Sequence, residues 1–352
     1  MRLLLIKTSA LGDVVNALPA VSDMARAVPD LELHWMVEAA FAEIPRLHPA
    51  TAQVVPVSTR RWRRRPLARE TREEFAVMAK ALRAGRYDLV VDAQGLIRSA
   101  VLARLAAGVR CGFDAQSVRE PPASFFYDRR FRVGVELHAI ERVRRLAGQA
   151  LGYAPPAELD YGVAAEPARP SWLPARPYLV ALHGTARADK LWDESNWIGL
   201  GQRAAAEGLS VVLLWGSKAE RERSERLAAA IPAAVLPPAM TLTEIAGMMA
   251  GAAAVAGVDT GLAHLAAAVG APVVALFLAT WPGLNGVMGP GFTANLGGPD
   301  EAPSVEEAWA ATAQALRSPR VTGPWLPAAT APGGAGRRRF RPSNARAKVH
   351  GR

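Results

Sequence analysis

The chain has 352 residues, half of them hydrophobic, with one cysteine and a formal net charge of +10. That length accommodates two α/β units, and the lone Cys111 excludes a disulfide framework and a thiolate metal site. Between Arg337 and Arg352 lie six Arg, one Lys and no acid, so the remainder is only mildly basic, and specific nucleic-acid binding is not expected.

In chain order, Leu3 to Lys7 reads as a short buried strand, Thr8 to Asp13 as a small-residue turn, and Asp13 to Ala27 as a helix kinked at Pro19. The apolar run before Lys7 is too short for a secretory segment, so a cytoplasmic protein is expected. Gly12 stands alone and is followed by a carboxylate that would repel a pyrophosphate, so the three-glycine dinucleotide fingerprint is missing. Leu31 to Glu38, Gln53 to Val57 and Tyr87 to Asp92 read as further strands. Helical stretches fall near 40 to 47, 70 to 84 and 96 to 107. Six prolines between 154 and 177 mark a linker.

Beyond the linker the alternation restarts. Strands are expected at Tyr178 to Leu182, Ser210 to Trp215, Ala233 to Leu236, Ala252 to Val258 and Pro272 to Phe277. Helices are expected near 194 to 207, 219 to 230, 241 to 250 and 262 to 269, with a last one from Ser304 to Arg317. Asp259, the glycines and Pro272 interrupt the most apolar stretch, which therefore reads as a buried βαβ unit rather than a membrane span. Two such halves predict an α/β protein with doubly wound parallel sheets and a cleft at the C-terminal strand ends.

Several residues have the right chemistry to act there. Asp13, just beyond the first strand, suits a helix cap or a general base. Thr185, Arg187 and Lys190 share one loop and can surround a diphosphate. The backbone N–H groups of Thr260, Gly261 and Leu262 open a helix and add a positive end. Glu220 sits at a strand-to-helix turn, where a carboxylate stabilises the helix or binds ribose hydroxyls. Met240 is either core or the wall of an adenine slot. Arg60, Arg61, Arg63, Arg64 and Arg65 surround Trp62, as in a solvated face or a surface for an anionic amphipathic partner. Arg119 can add a cation. No HExxH, nucleophile elbow or Walker A loop is present.

The segments KTSALGDVVNALPA, VDAQGLIRSA, REPPASFFYDRR, LHGTARADKLW and VDTGLAHLAAA together resemble the lipopolysaccharide heptosyltransferases of glycosyltransferase family 9, type I before type II. The resemblance runs from residue 1 to about 320. It implies a GT-B fold, with an acceptor-binding Rossmann-like domain over 1–165 and an ADP-heptose-binding one over 166–326. The last helix would pack back on the first domain, and 327–352 would be a disordered basic tail.

By the same resemblance, L-glycero-D-manno-heptose passes from ADP-heptose to the inner Kdo of Kdo2-lipid A, with inversion. Asp13 is the base, and Lys190, Thr185, Arg187 and the Thr260 to Leu262 helix start hold the diphosphate. Glu220 binds ribose, Met240 adenine, and Asp259 and His264 the donor loop or sugar. Arg60, Arg61, Arg63, Arg64 and Arg119 meet acceptor phosphates and carboxylates. No cofactor or essential metal is implied, and a monomer on the cytoplasmic face of the inner membrane is expected. Ala186 stands where the family usually has Thr, and residues 278 to 282 depart from the usual turn, so only Thr280 is carried over there. A non-catalytic binding protein and a nucleotide-sugar epimerase or NAD oxidoreductase are the competing classes.

Overall fold

A computed structural model describes residues 1–318, so the basic tail lies outside the described residues. The first half is built from β1 (Arg2–Ile6), α1 (Leu11–Val15), α2 (Leu18–Ala27), β2 (Glu32–Glu38), α3 (Glu43–Arg46), β3 (Thr51–Val57), α4 (Thr59–Arg64), α5 (Arg69–Ala84), β4 (Leu89–Asp92), α6 (Ile97–Ala103), β5 (Val109–Phe113), β6 (Arg129–Phe131) and α7 (Ala139–Leu151). The second half holds β7 (Tyr178–Leu182), α8 (Glu194–Ala206), β8 (Ser210–Leu213), α9 (Lys218–Ala230), β9 (Ala234–Val235), α10 (Leu242–Ala250), β10 (Ala254–Val258), α11 (Gly261–Ala268), β11 (Val273–Phe277), α12 (Pro282–Asn285), β12 (Thr293–Gly297) and α13 (Val305–Arg317).

Each half forms one six-stranded sheet, in the orders β3-β2-β1-β4-β5-β6 and β12-β11-β10-β7-β8-β9. Counted from the first strand of each half, both orders are the same doubly wound 3-2-1-4-5-6, and every strand pair is parallel. The order reverses between β1 and β4, and again between β7 and β10. Loops leaving those strands diverge and open a crevice, which is where an open parallel sheet binds ligands. Two such sheets with their crevices facing constitute the GT-B fold.

Burial explains the strand sequences. Leu3 and Leu5 of β1 enter the core layer between the sheets, while Leu4 and Ile6 face the outer helices, and all four are fully buried. Strands covered on both faces carry continuous apolar runs. The inner layer is one apolar cluster running through both halves, from Val14, Leu18 and Leu146 to Ala263, Leu265 and Met248. The size of the chain suggests two separate cores; the structure has one outer apolar cluster in each half and, in addition, a shared inner layer.

The expected helix over Asp13 to Ala27 is two helices. Asn16 and Ala17 interrupt it, and Pro19 occupies the first turn of α2, where its missing N–H costs nothing. α13 also departs from expectation: it packs on α8, β10, β11 and β12, and its Ala308, Ala311 and Ala315 fill the outer core of the second half. Those small residues let it lie close against the sheet of its own half. The linker has no regular structure, but it is pinned. The buried Arg144 bonds Asp23 through Nε (2.6 Å) and reaches the carbonyls of Pro156 (2.6 Å) and Glu158 (2.9 Å).

The halves meet where α1 lies against α11. A Cβ on Gly261 would fall 2.6 Å from Leu11 Cβ and 2.7 Å from the Gly12 amide nitrogen. Only a glycine allows this approach. Glu43 Oε2 accepts from the Thr243 amide (2.8 Å) and hydroxyl (2.7 Å), and Tyr161 Oη donates to the Met288 carbonyl (2.7 Å). Gly261→Ala must push the two backbones apart. It is expected to lower the thermal midpoint and to broaden calorimetric unfolding into two steps, as the halves lose their common layer; an unchanged single transition would contradict this packing.

Three of the buried histidines are His48 beside Ser22 Oγ (2.9 Å), His183 beside Ser224 Oγ (2.7 Å), and His264 under α1. Burial pushes each imidazole from the usual 6.5 down to about 4. The unfolded chain therefore takes up these protons first, so their contribution is full above about pH 6.5 and is lost as pH falls towards 4. The urea midpoint is expected to drop clearly between pH 7 and 5, and a flat profile across that window would refute the burial argument.

Candidate active site

The crevice of the first half is shaped by the turn after β1. Gln94, just past β4, uses one carbonyl oxygen to accept from the amides of Thr8 (2.8 Å) and Ser9 (3.0 Å) and from the Thr8 hydroxyl (3.1 Å). Gln94 is held in turn by Asp92, fully buried, whose carboxylate accepts from the amides of Gln94 and Gly95, from Ser99 Oγ and from Tyr127 Oη. Burial raises the Asp92 carboxyl, against the pull of those donors. This network fixes the loop that carries Asp13.

Asp13 is the third residue of α1 rather than its cap, and its carboxylate accepts from the Ala10 amide (3.1 Å). The cap-like bond and the chemical role are therefore compatible, because the second oxygen is turned to Lys7 Nζ at 3.7 Å. A cavity of about 650 Å³ opens on Asp13, and Arg60, Arg63, Arg119 and Arg98, the last not among the expected site residues, line it. Arg119 is brought there by its neighbour Glu120, which accepts from the Ile97 amide (2.7 Å) and donates its own amide to Gly95 O (3.2 Å). Arg61 and Arg64 do not join them. Arg61 turns to Glu74, and Arg64 lines neither cavity beside Asp13. One helical turn separates Arg60 from Arg63, which share a face; Arg61 points to another.

A second cavity of about 180 Å³ also reaches Asp13 and is lined by Lys7, Gln94, Arg119, Arg142 and Asn285. Lys7 and Arg142 were not among the expected site residues. Lys7 looks like the polar end of a strand, yet it is buried and donates to Ala93 O (3.2 Å). Arg142 lies over the Phe113 ring (5.0 Å), and burial lowers its pKa.

Across the crevice, Asp259 is the hub. Its Oδ2 accepts from Lys190 Nζ (2.5 Å) and from Thr280 Oγ1 (2.7 Å), while its carbonyl accepts from Thr185 Oγ1 (3.3 Å). The unusual 278 to 282 segment therefore still delivers Thr280 to the site. Thr260 caps α11 without using its hydroxyl, so that group and the free amides of the helix start remain available at a positive helix end. His264, one turn along, has Nδ1 unpartnered among the described residues, and its Cδ2 would lie 3.0 Å from a Cβ on Gly12. That ring joins the Asp259 side of the site to the Asp13 side.

Glu220 accepts from the Gly216 amide (2.8 Å) in the first turn of α9. Its carboxylate also covers Gly184, where a Cβ would lie 2.4 Å from Oε1, so it borders the Thr185 to Lys190 loop. Met240 is half-buried just before the cap of α10 and packs on the shared core. Arg187 is tied to Asp189 (Nε to Oδ1, 3.0 Å) on the exposed part of the loop and makes no bond to Asp259. Among the described residues no helix is long and apolar enough to cross a membrane.

Comparison with known proteins agrees with this geometry. The model of glycosyltransferase family 9 (heptosyltransferase) matches residues 75–311. Lipopolysaccharide heptosyltransferase 1 of Pseudomonas aeruginosa is 47% identical over 291 residues, covering 82% of this chain and 82% of that one. The structure of the E. coli heptosyltransferase WaaC with ADP is similar at a TM-score of 0.79 and 39% identity, covering 89% of this chain and 98% of that one. E. coli ADP-heptose lps heptosyltransferase II shares the fold at a TM-score of 0.71 and 19% identity, over 90% and 99% of the two chains. A parallel-sheet crevice holding a carboxylate on one wall and an ammonium beside a helix start on the other thus has a family: the chain is a glycosyltransferase and belongs to glycosyltransferase family 9, the heptosyltransferases.

Proposed function

We propose that the chain transfers L-glycero-D-manno-heptose from ADP-heptose to the inner Kdo of Kdo2-lipid A, in assembly of the lipopolysaccharide inner core. The observation that carries this reading is the convergence of Asp13, Arg60, Arg63 and Arg119 on one cavity, opposite the Lys190, Asp259 and Thr260 wall. A cavity with four arginines, Arg98 included, suits an acceptor rich in carboxylates and phosphates. Four type I relatives, 42–47% identical to this chain, favour this reading over a second-heptose acceptor, and among the solved structures WaaC is 39% identical against 19% for the type II enzyme.

In the proposed step Asp13 takes the proton of the attacking Kdo hydroxyl. The oxygen bonds the anomeric carbon from the face opposite the nucleotide, the bond to the β-phosphate oxygen breaks, and ADP leaves with the electron pair. Lys190 moves from Asp259 to the diphosphate as charge develops, leaving Thr280 on Asp259, while the Thr260 hydroxyl and the amides of Gly261 and Leu262 donate to the phosphate oxygens. Thr185 and Arg187 complete that loop. Glu220 takes the ribose hydroxyls, Met240 borders adenine, and His264 faces the heptose. An ammonium and a helix start supply the positive charge that a divalent ion supplies elsewhere, so the reaction proceeds without an essential metal. The reading includes a monomer working at the cytoplasmic face of the inner membrane, with acceptor-side residues 1–165 and donor-side residues 166–326.

Incubation of the protein with ADP-heptose and Kdo2-lipid A in excess chelator is expected to add the mass of one heptose to the acceptor. No gain on Kdo2-lipid A, with a gain on an already heptosylated core, would move the assignment to type II. Asp13→Asn is expected to lower kcat about 10³-fold with little change in KM, as for loss of a general base. Lys190→Ala is expected to lower kcat about 10²-fold or more, as for loss of one aimed donor. Near-normal kcat in either variant would remove that residue from the mechanism.

A further inference from the structure

Helix α4 separates the acceptor cavity from another that the reaction does not use. Arg60 and Arg63 line the cavity on Asp13, whereas Arg61 and Trp62 line a groove of about 600 Å³ on the other side of the helix. Val54 and Pro56 of β3, with Val77, Met78 and Ala81 of α5, form its apolar walls. β3 is the edge strand of its sheet, so the groove has no further strand beside it. Trp62 is held at the groove by Nε1 donating to Glu74 Oε2 (2.9 Å) and by an edge-to-face contact with Phe75 at 5.9 Å.

Two features point to an occupant. The apolar surface is open, with Val77 of the groove wall 70% exposed and Phe75, packed on Trp62, 41% exposed, and such a patch marks a binding surface rather than chance. The helix bordering it is strongly cationic: Arg61 is paired with Glu74, while Arg60, Arg63 and Arg64 carry no ion pair among the described residues. Sugar cavity, arginine helix and apolar groove therefore follow one another in space in the order in which sugar, phosphate and acyl chain follow one another in an acylated phosphoglycolipid.

We propose that the groove between β3 and α5 seats an acyl chain of the acceptor, with α4 held at its phosphate. This rests on the acceptor reading above and adds a subsite to it. The groove would make the enzyme prefer an acylated acceptor over the same sugar without its chains, through binding rather than through the chemical step.

Val77→Glu and the milder Val77→Ser test it, because Val77 is exposed and remote from Asp13. Initial rates are measured with Kdo2-lipid A dispersed in neutral detergent and with the same acceptor stripped of all acyl chains. The expected result is a KM for the acylated acceptor raised about tenfold by Val77→Glu and less by Val77→Ser, with kcat unchanged, and no change for the stripped acceptor. That second acceptor also reports correct folding. Equal effects on both acceptors, or none on either, would overturn the groove assignment. Binding to phosphatidylglycerol vesicles that contain no acceptor is expected to be the same for wild type and variants; loss of that binding in Val77→Glu would assign the face to the bilayer surface instead. Absence of transfer by the wild type to either acceptor would sink the acceptor reading itself.

Discussion

The site depends on one close approach, that of the first turns of α1 and α11. Gly261 leaves no room for even a methyl group against Leu11 and the Gly12 backbone, and this brings the turn after β1 to within a ring's width of the turn after β10. Asp13 follows Gly12 and Thr260 precedes Gly261, so the contact that joins the halves also sets the spacing between the carboxylate and the positive helix end. A single buried layer runs through the contact, and interiors packed that tightly transmit small displacements. Geometry held to a fraction of an ångström matters for transfer, where a 1 Å error can cost about 10²-fold.

Charge is distributed about this contact so that neither wall is self-satisfied. On one side Asp13 faces Lys7 and a cavity with four arginines. On the other, Asp259 gathers Lys190 and Thr280 and keeps the ammonium ordered beside the start of α11. In the proposed step an anionic diphosphate draws Lys190 off Asp259; the lysine keeps 16% of its side chain exposed and Thr280 remains on Asp259 as a second partner. His264 lies between the walls as a neutral ring, adding shape without a charge that would compete with either side.

Much of the fold was legible because both halves use continuous apolar strands ended by turn residues. Tyr178–Leu182 was read to the residue, and the strands and helices from Glu194 to Phe277 were displaced by two residues at most at either end. The misses have physical causes. β5 and β6 carry Arg and Gly and are too short to show a period, and α4, with five arginines in and just after it, reads as a solvated run. α7 could have been found, since Ile140, Val143, Ala147 and Ala150 recur at helical spacing and are buried. At the site, Asp13, Lys190 and Asp259 stood out in the sequence segments that carry the resemblance, and Thr280 was kept from a divergent turn; in the structure Lys190 and Thr280 meet on Asp259, while Asp13 opens on the cavity of the first half. The arginine cluster could not be sorted in one dimension: only once α4 exists do Arg60 and Arg63 part from Arg61. Lys7 and Arg142 were missed because burial of a cation leaves no mark in the sequence.

The central claim is that one interhelical contact makes a single site from two walls. Its most direct test is the single-turnover rate of heptose transfer in Gly261→Ala with donor and acceptor both saturating. The account predicts a rate about 10²-fold below wild type, although every residue that would touch a substrate side chain to side chain is intact. A wild-type rate in that variant would mean that the spacing of α1 and α11 does not govern the chemistry, and the account would be wrong.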